Sequence, residues 1–303
     1  MESCLFSATQ LHQIGTRSRD WLRGLQHHSP PSSQFPIRHA FQILLGLWIC
    51  EQGLLEHAEP SSTRRYAHKV GRYIPEDTDD VADLFSSDPT LALFSLGILR
   101  FFNIRNRQLE LFATHLSRLL QEHSDQDDLE ANELFLIRFL LQRLRLHSPL
   151  PSYSLKEIAP GDLINADDRT IGNVVKNITA ATHYGQAAPA TKKDFLQALS
   201  TLLPVLMLDY FRLYNLEIGM QILRAMRYLH PGENKGWEGG LKFLVAQQQY
   251  NGRCGFFAHE MAQLHMSEAK YEQDFQLYLP LTVSFVWTIA ETAHSQFILA
   301  QSF

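Results

Sequence analysis

Residues 91–120 read LALFSLGILR FFNIRNRQLE LFATHLSRLL. Leu91, Phe94, Ile98 and Phe101 recur at the spacing of one helical face. After the polar turn Asn103–Arg107, Leu109, Phe112, Leu116 and Leu119 repeat the pattern. The stretch therefore predicts two helices joined by a short turn, packed as an antiparallel hairpin. The same period marks Phe195, Leu199, Leu202 and Leu206, and again Leu281, Phe285 and Thr288. Short polar turns at His27–Gln34, Ser86–Pro89, Ser148–Ser152, Pro231–Trp237 and Tyr250–Gly255 separate the remaining segments. No run alternates with period two. The 46 Leu against 8 Val agree, because strands enrich β-branched residues while helices accept Leu readily. The fold class expected is all-α.

Composition narrows the function. With 303 residues, 45% of them hydrophobic and 19% charged, the chain can build a sizeable core, and wholesale disorder is excluded. It is read as one domain over residues 1–303, with His147–Ser154 the best candidate for an internal boundary. A net charge of −5 and the absence of a basic stripe argue against nucleic acid as a partner. Three scattered cysteines, Cys4, Cys50 and Cys254, do not make a disulfide framework and fit a reducing compartment. No apolar h-region follows Met1, and the apolar stretches Ala40–Cys50 and Pro280–Ala290 are too short to span a bilayer. The expectation is a soluble cytoplasmic protein, with self-association compatible with this composition.

A weak internal repeat is visible. Leu96–Gln121 carries Ile98-Leu99-Arg100, and Met220–Gln248 carries Ile222-Leu223-Arg224, each in a helix–turn–helix pattern. A third copy runs from Phe41 to Tyr73. Repeated helical hairpins stack as an open solenoid or close into an α/α toroid.

Two segments extend this reading. Gly240-Leu241-Lys242-Phe243-Leu244-Val245-Ala246-Gln247-Gln248 runs into Gln249-Tyr250-Asn251-Gly252-Arg253-Cys254-Gly255-Phe256-Phe257. This resembles the repeat of the terpene cyclase and prenyltransferase superfamily, in which a helix ending in Leu and Gln meets a glycine turn capped by an aromatic. The usual Trp is replaced by Cys254 or displaced to Phe256. The second segment, Asp77-Thr78-Asp79-Asp80-Val81-Ala82, resembles the Asp-x-Asp-Asp-Thr-Ala motif of class II cyclases of the squalene–hopene type. The resemblance implies an α/α toroid that protonates an isoprenoid or polyene-like substrate and lets the carbocation cyclise. Asp79 would be the acid, with Asp77 and Asp80 tuning it. Clustered carboxyls in a dry cavity keep one of them protonated at neutral pH. Val81 replaces the family's Thr, Ser86–Pro89 cuts the following helix short, and the chain has room for one toroid where such enzymes usually carry two.

A second acidic string, Asp125-Gln126-Asp127-Asp128, stands at the equivalent turn of the next repeat, where a solvated helix cap does the same job. If the repeats hold, the turns at Asp77–Asp80, Asp125–Asp128 and Asn251–Gly255 share one rim. The helix end Thr179–Gly185, with His183 and Tyr184, could line the mouth of a toroid, and Trp237 and Phe256 join these two as candidate substrate contacts. The fourteen histidines, among them His27, His28, His57, His68, His259 and His265, show no zinc spacing, and no metal site is assigned. No cofactor is expected, and Mg enters only if the substrate is a diphosphate. Nucleophile-elbow, P-loop and dinucleotide motifs are missing. The reading is a cyclase or isomerase-like enzyme on a small hydrophobic substrate. Two alternatives stand beside it. One is a non-catalytic helical-repeat protein that binds a peptide or protein. The other is a natural-product tailoring enzyme that uses the toroid with different catalytic residues. An acidic turn facing an aromatic cavity favours the cyclase, and one facing water favours the scaffold.

Overall fold

A computed structural model of the chain describes residues 6–28, 37–55, 61–73, 79–122, 130–146, 150, 152–230, 237–256 and 274–293. Among them there are thirteen α-helices, two short π-helical segments and no strand. The helices are α1 (Ala8–His28), α2 (Ile37–Ile49), α3 (Ser61–Tyr73), α4 (Asp79–Ser87), α5 (Pro89–Phe101), α6 (Arg107–Glu122) and α7 (Ala131–Arg143). They continue with α8 (Pro160–Ile164), α9 (Asp168–Ala181), α10 (Lys193–Arg212), α11 (Leu216–Leu229), α12 (Glu238–Ala246) and α13 (Leu279–Ala293). The π-helical segments, Cys50–Leu54 and Asp274–Tyr278, end α2 and lead into α13.

Two kinds of helix alternate, and the sequence dictates which is which. A helix that is apolar all round must be covered on every side, whereas an amphipathic one covers others with a single stripe. Every residue of α5 from Leu91 to Leu99 is buried. α2 is buried from Phe41 to Ile49 except at Gln42. By contrast α6 buries only Leu109, Ala113, Ser117 and Leu120, a narrow stripe centred on small residues. The predicted Phe112, Leu116 and Leu119 flank that stripe half-buried, and Phe101 is 41% exposed because α5 leaves the core there.

The buried helices pack in a cyclic order. α2 lies against α5, α5 against α7, α7 against α9, α9 against α11 and α11 against α13, and α13 returns to α2. The amphipathic helices cover them, with α1 against α2 and α13, α6 against α5 and α7, and α10 against α11. Ser86–Pro89 does end one helix and start another. Asp88 caps α5 by accepting from the Leu91 N–H at 3.1 Å, and Pro89 occupies a first-turn position where no N–H is needed. The two Ile-Leu-Arg strings both fall on buried helices, α5 and α11. Their arginines then diverge: Arg100 pairs with Glu110 of α6, while Arg224 turns toward α13.

The Gln-rich turn after α12 acts as a clasp. Gln248 Nε2 donates to the Ile14 carbonyl at 3.0 Å and to Ser18 Oγ at 2.9 Å, both on α1. Ser18 Oγ in turn donates to the Gly252 carbonyl at 3.0 Å. Gly252 has φ +99°, and a Cβ there would lie 2.0 Å from the Arg17 carbonyl oxygen, so both conformation and space require glycine. On the other side the Cys254 N–H donates to Thr282 Oγ1 of α13 at 3.0 Å. Cys50 and Cys254 are buried free thiols. No helix among the described residues is long and apolar enough to cross a membrane.

Candidate functional site

A cleft of about 930 Å³ opens where α2, α5, α11 and α13 meet. Its walls come from all four helices: Arg38, His39 and Gln42 from α2, and Leu91 and Phe94 from α5. Gln221 and Arg224 come from α11, and Ser284 and Trp287 from α13. Phe94 and Trp287 meet edge to face, with centroids 5.7 Å apart. At the mouth, Arg38 pairs with Asp88 at 3.3 Å, and Glu217 is exposed. Burial and the neighbouring Arg38 hold His39 below the usual imidazole value.

Arg224 is the fixed cation of the cleft. Its Nη1 donates to the Ser284 carbonyl at 3.2 Å, to Ser284 Oγ at 3.0 Å and to Thr288 Oγ1 at 2.7 Å. Its guanidinium lies 5.1 Å over the Trp287 ring. No carboxylate pairs with it among the described residues.

One turn deeper lies a second polar pair. The Tyr228 hydroxyl donates to Glu291 Oε2, and both residues are buried. Glu291 Oε1 has no hydrogen-bond partner among the described residues. Trp287 Nε1 faces the carboxyl without hydrogen-bond geometry, yet near enough to favour its charged form. Burial pushes Glu291 up to about 7, against the opposing pull of Tyr228, Trp287, Arg224 and Arg227. Arg227 is itself buried, with its guanidinium 5.5 Å over Trp237.

Tyr184 fills the space beside this pair. Its ring stacks on Trp287 at 6.5 Å and meets Phe94, Phe139 and Tyr228 at 6.2, 5.6 and 6.3 Å. It thereby touches side chains from α5, α7, α11 and α13. The chain reaches this position by ending α9 in a run of positive φ: His183 (49°), Tyr184 (56°) and Gly185 (81°). Two of those three are not glycine, a strained arrangement that the packing of both rings sustains.

The residues singled out from sequence are not gathered here. Asp79 is exposed in the first turn of α4 and does not line the cleft. Asp77 and the side chain of Asp80 lie outside the described residues, as do the Asp125–Asp128 turn, His57, His259 and His265. Tyr184 supports the cleft from beneath Trp287. His183 is turned away onto Phe135 and Phe139, at 5.2 and 5.8 Å. Trp237 is buried under Arg227, and Phe256 is 55% exposed, its N–H donating to the Tyr214 hydroxyl at 2.7 Å. Sequence reasoning missed Arg224 and Glu291 as a pair. The available signal was an ionisable residue inside a run otherwise fit for burial, as Glu291 is in α13. Comparisons with protein-family models, with curated proteins and with solved structures find no match.

Proposed function

We propose that the chain is an α/α toroid enzyme of cyclase or isomerase type that takes a hydrophobic, isoprenoid- or polyene-like small molecule into this cleft. The observation that carries the reading is the cleft itself. It sits at one end of a cyclic succession of buried helices, with Phe94 and Trp287 forming an aromatic floor. Concave sites of this size that set aromatic side chains beside convergent polar groups are a usual form of small-molecule site. The cyclic packing of α2, α5, α7, α9, α11 and α13 and the clasp after α12 support the toroid. Asp79 stands exposed to water and outside the cleft. The chemistry is therefore assigned to the cleft rather than to the acidic turn, as in a tailoring enzyme that keeps the toroid with different catalytic residues.

Incubation of the purified protein with prenyl diphosphates, squalene and polyprenyl phenols, followed by mass spectrometry, tests this. Conversion that survives Asp79→Asn and is lost in the cleft-filling Gln221→Trp supports the assignment. Loss in a folded Asp79→Asn returns the acid to the turn. No conversion of any of these by wild type removes the enzyme reading. The exposure of Asp79 then favours the non-catalytic helical-repeat protein that binds a peptide or protein.

A further inference from the structure

We propose that the cleft takes a ligand with a negatively charged head, held at Arg224, and that Glu291 takes up a proton as the ligand binds. The inference rests on the reading of the cleft as a ligand site and adds the charge of the ligand and a linkage.

The geometry is a ladder of two rungs between α11 and α13. The rung facing the cleft is Arg224 to Thr288, at 2.7 Å. The inner rung is Tyr228 to Glu291. Arg224 and Tyr228 are four residues apart on α11, and Thr288 and Glu291 three apart on α13, so each pair stacks along one helical face. Nη1 makes all three of Arg224's hydrogen bonds among the described residues, so the guanidinium is anchored at one end. A half-buried arginine placed over an indole and with no carboxylate partner among the described residues is suited to an incoming anion, through charge-assisted hydrogen bonds from a planar fork.

Glu291 responds because of what surrounds it. Arg224, Arg227 and Tyr228 of α11 face it, as do Trp287 of its own helix and Tyr184 after α9. Arg227 Nε donates to the backbone carbonyl of Glu291 at 3.4 Å, and no ion pair forms between their side chains among the described residues. The charge of Arg224 is thus one of the few forces favouring ionised Glu291 against the cost of burial. An anion seated on Arg224 cancels that field in a medium that screens poorly, and the neutral acid gains. An exposed glutamate, fully ionised at neutral pH, would have no such proton to take. The remaining titratable and charged groups of the cleft are Arg38 and His39 on α2, Asp88 before α5, Tyr214 before α11 and Glu217 on α11. Of these His39 could also gain a proton, so it serves as the control.

The test is isothermal titration of the full chain at pH 7.5 with decane-1-sulfonate, which carries no titratable proton, and with decan-1-ol as its neutral counterpart. Two cationic buffers of different ionisation enthalpy, triethanolamine and Tris, report the protons exchanged. The expected result is sulfonate binding at least about tenfold tighter than decanol, with uptake on the order of half a proton per ligand. Glu291→Gln should still bind while its uptake falls to near zero, and His39→Gln should keep the uptake. Sulfonate binding with no proton uptake by wild type overturns the linkage, as does uptake unchanged in Glu291→Gln. Equal affinity for decanol overturns the anionic head. Failure of both probes to bind overturns the cleft reading itself, a result distinct from each of these.

Discussion

Arg224 and Trp287 form a cation–π pair, with the guanidinium carbon 5.1 Å from the ring centroid, on facing helices 63 positions apart in the chain. One face of the indole carries Arg224 and the ring also stacks on Tyr184, so Trp287 ties the cleft wall to the packing beneath it.

Arg224→Met keeps the long apolar stem and removes the charge. The loss of the cation–π contact and of the bonds to Ser284 and Thr288 should cost about 1–2 kcal/mol of stability. Urea denaturation measures this, and the tryptophan emission of the folded protein should change with it. Affinity for decane-1-sulfonate should fall by about tenfold or more. A variant with wild-type emission and wild-type affinity would remove Arg224 from the site.

Glu291 makes stability depend on pH in the sense opposite to an ordinary ion-paired carboxylate. Its folded value, about 7, lies above the ordinary 4.5. The native state therefore binds more protons than the unfolded chain across that window, and stability falls as pH rises from about 4.5 to 7. Glu291→Gln should be as stable as wild type near pH 4 and more stable by about 3 kcal/mol at pH 8. Denaturation midpoints at the two pH values decide it. A difference that does not change with pH would show that Glu291 titrates alike in the folded and unfolded chain.

Tyr184 should be tolerant of losing its hydroxyl and intolerant of losing its ring. Among the described residues the hydroxyl makes no hydrogen bond, whereas the ring meets four aromatic side chains. Tyr184→Phe should shift stability by less than about 1 kcal/mol, and Tyr184→Ala should cost about 3–5 kcal/mol through the cavity it leaves. Thermal and urea unfolding of both variants check the contrast.

Gly252→Ala should destabilise by more than about 2 kcal/mol, because φ +99° is unfavourable for alanine and the methyl group meets backbone atoms of Arg17 and Ser18. Gly239→Ala is the matched comparison. Gly239 lies exposed on α12 with nothing within 4 Å of the added Cβ, so helix propensity should stabilise it by up to about 1 kcal/mol. Equal midpoints for the two variants would show that the clasp contributes nothing.

The helices were legible because local pattern determines them. The Leu period in 91–120 gives α5 and α6 with their turn, and the apolar stretches 40–50 and 280–290 mark α2 and α13. Gln248 and Gly252 were readable as a structural turn, and the hydrogen bonds to Ile14 and Ser18 give that turn its reason. The cleft was not legible. Arg38, Leu91, Arg224 and Trp287 become neighbours only through the packing of four helices, and no local spacing encodes that. Arg224 resembled Arg100 because the strings preceding them match. Their different fates follow from Glu110 standing opposite one and Thr288 opposite the other. Asp79 drew attention by motif, but its exposure depends on how α4 lies over α2, α5 and α6, which the motif does not contain.

The return of α13 to α2 has a consequence for how the molecule opens. In a linear stack of hairpins the end units have one neighbour and fray first, so amide exchange is fastest there. Here α13 is flanked by α11 and α2, and α2 by α13 and α5, so neither stands at an end. Amides of α2 and α13 should exchange as slowly as those of α9 in mid-chain, and all three should be released together, in one cooperative event.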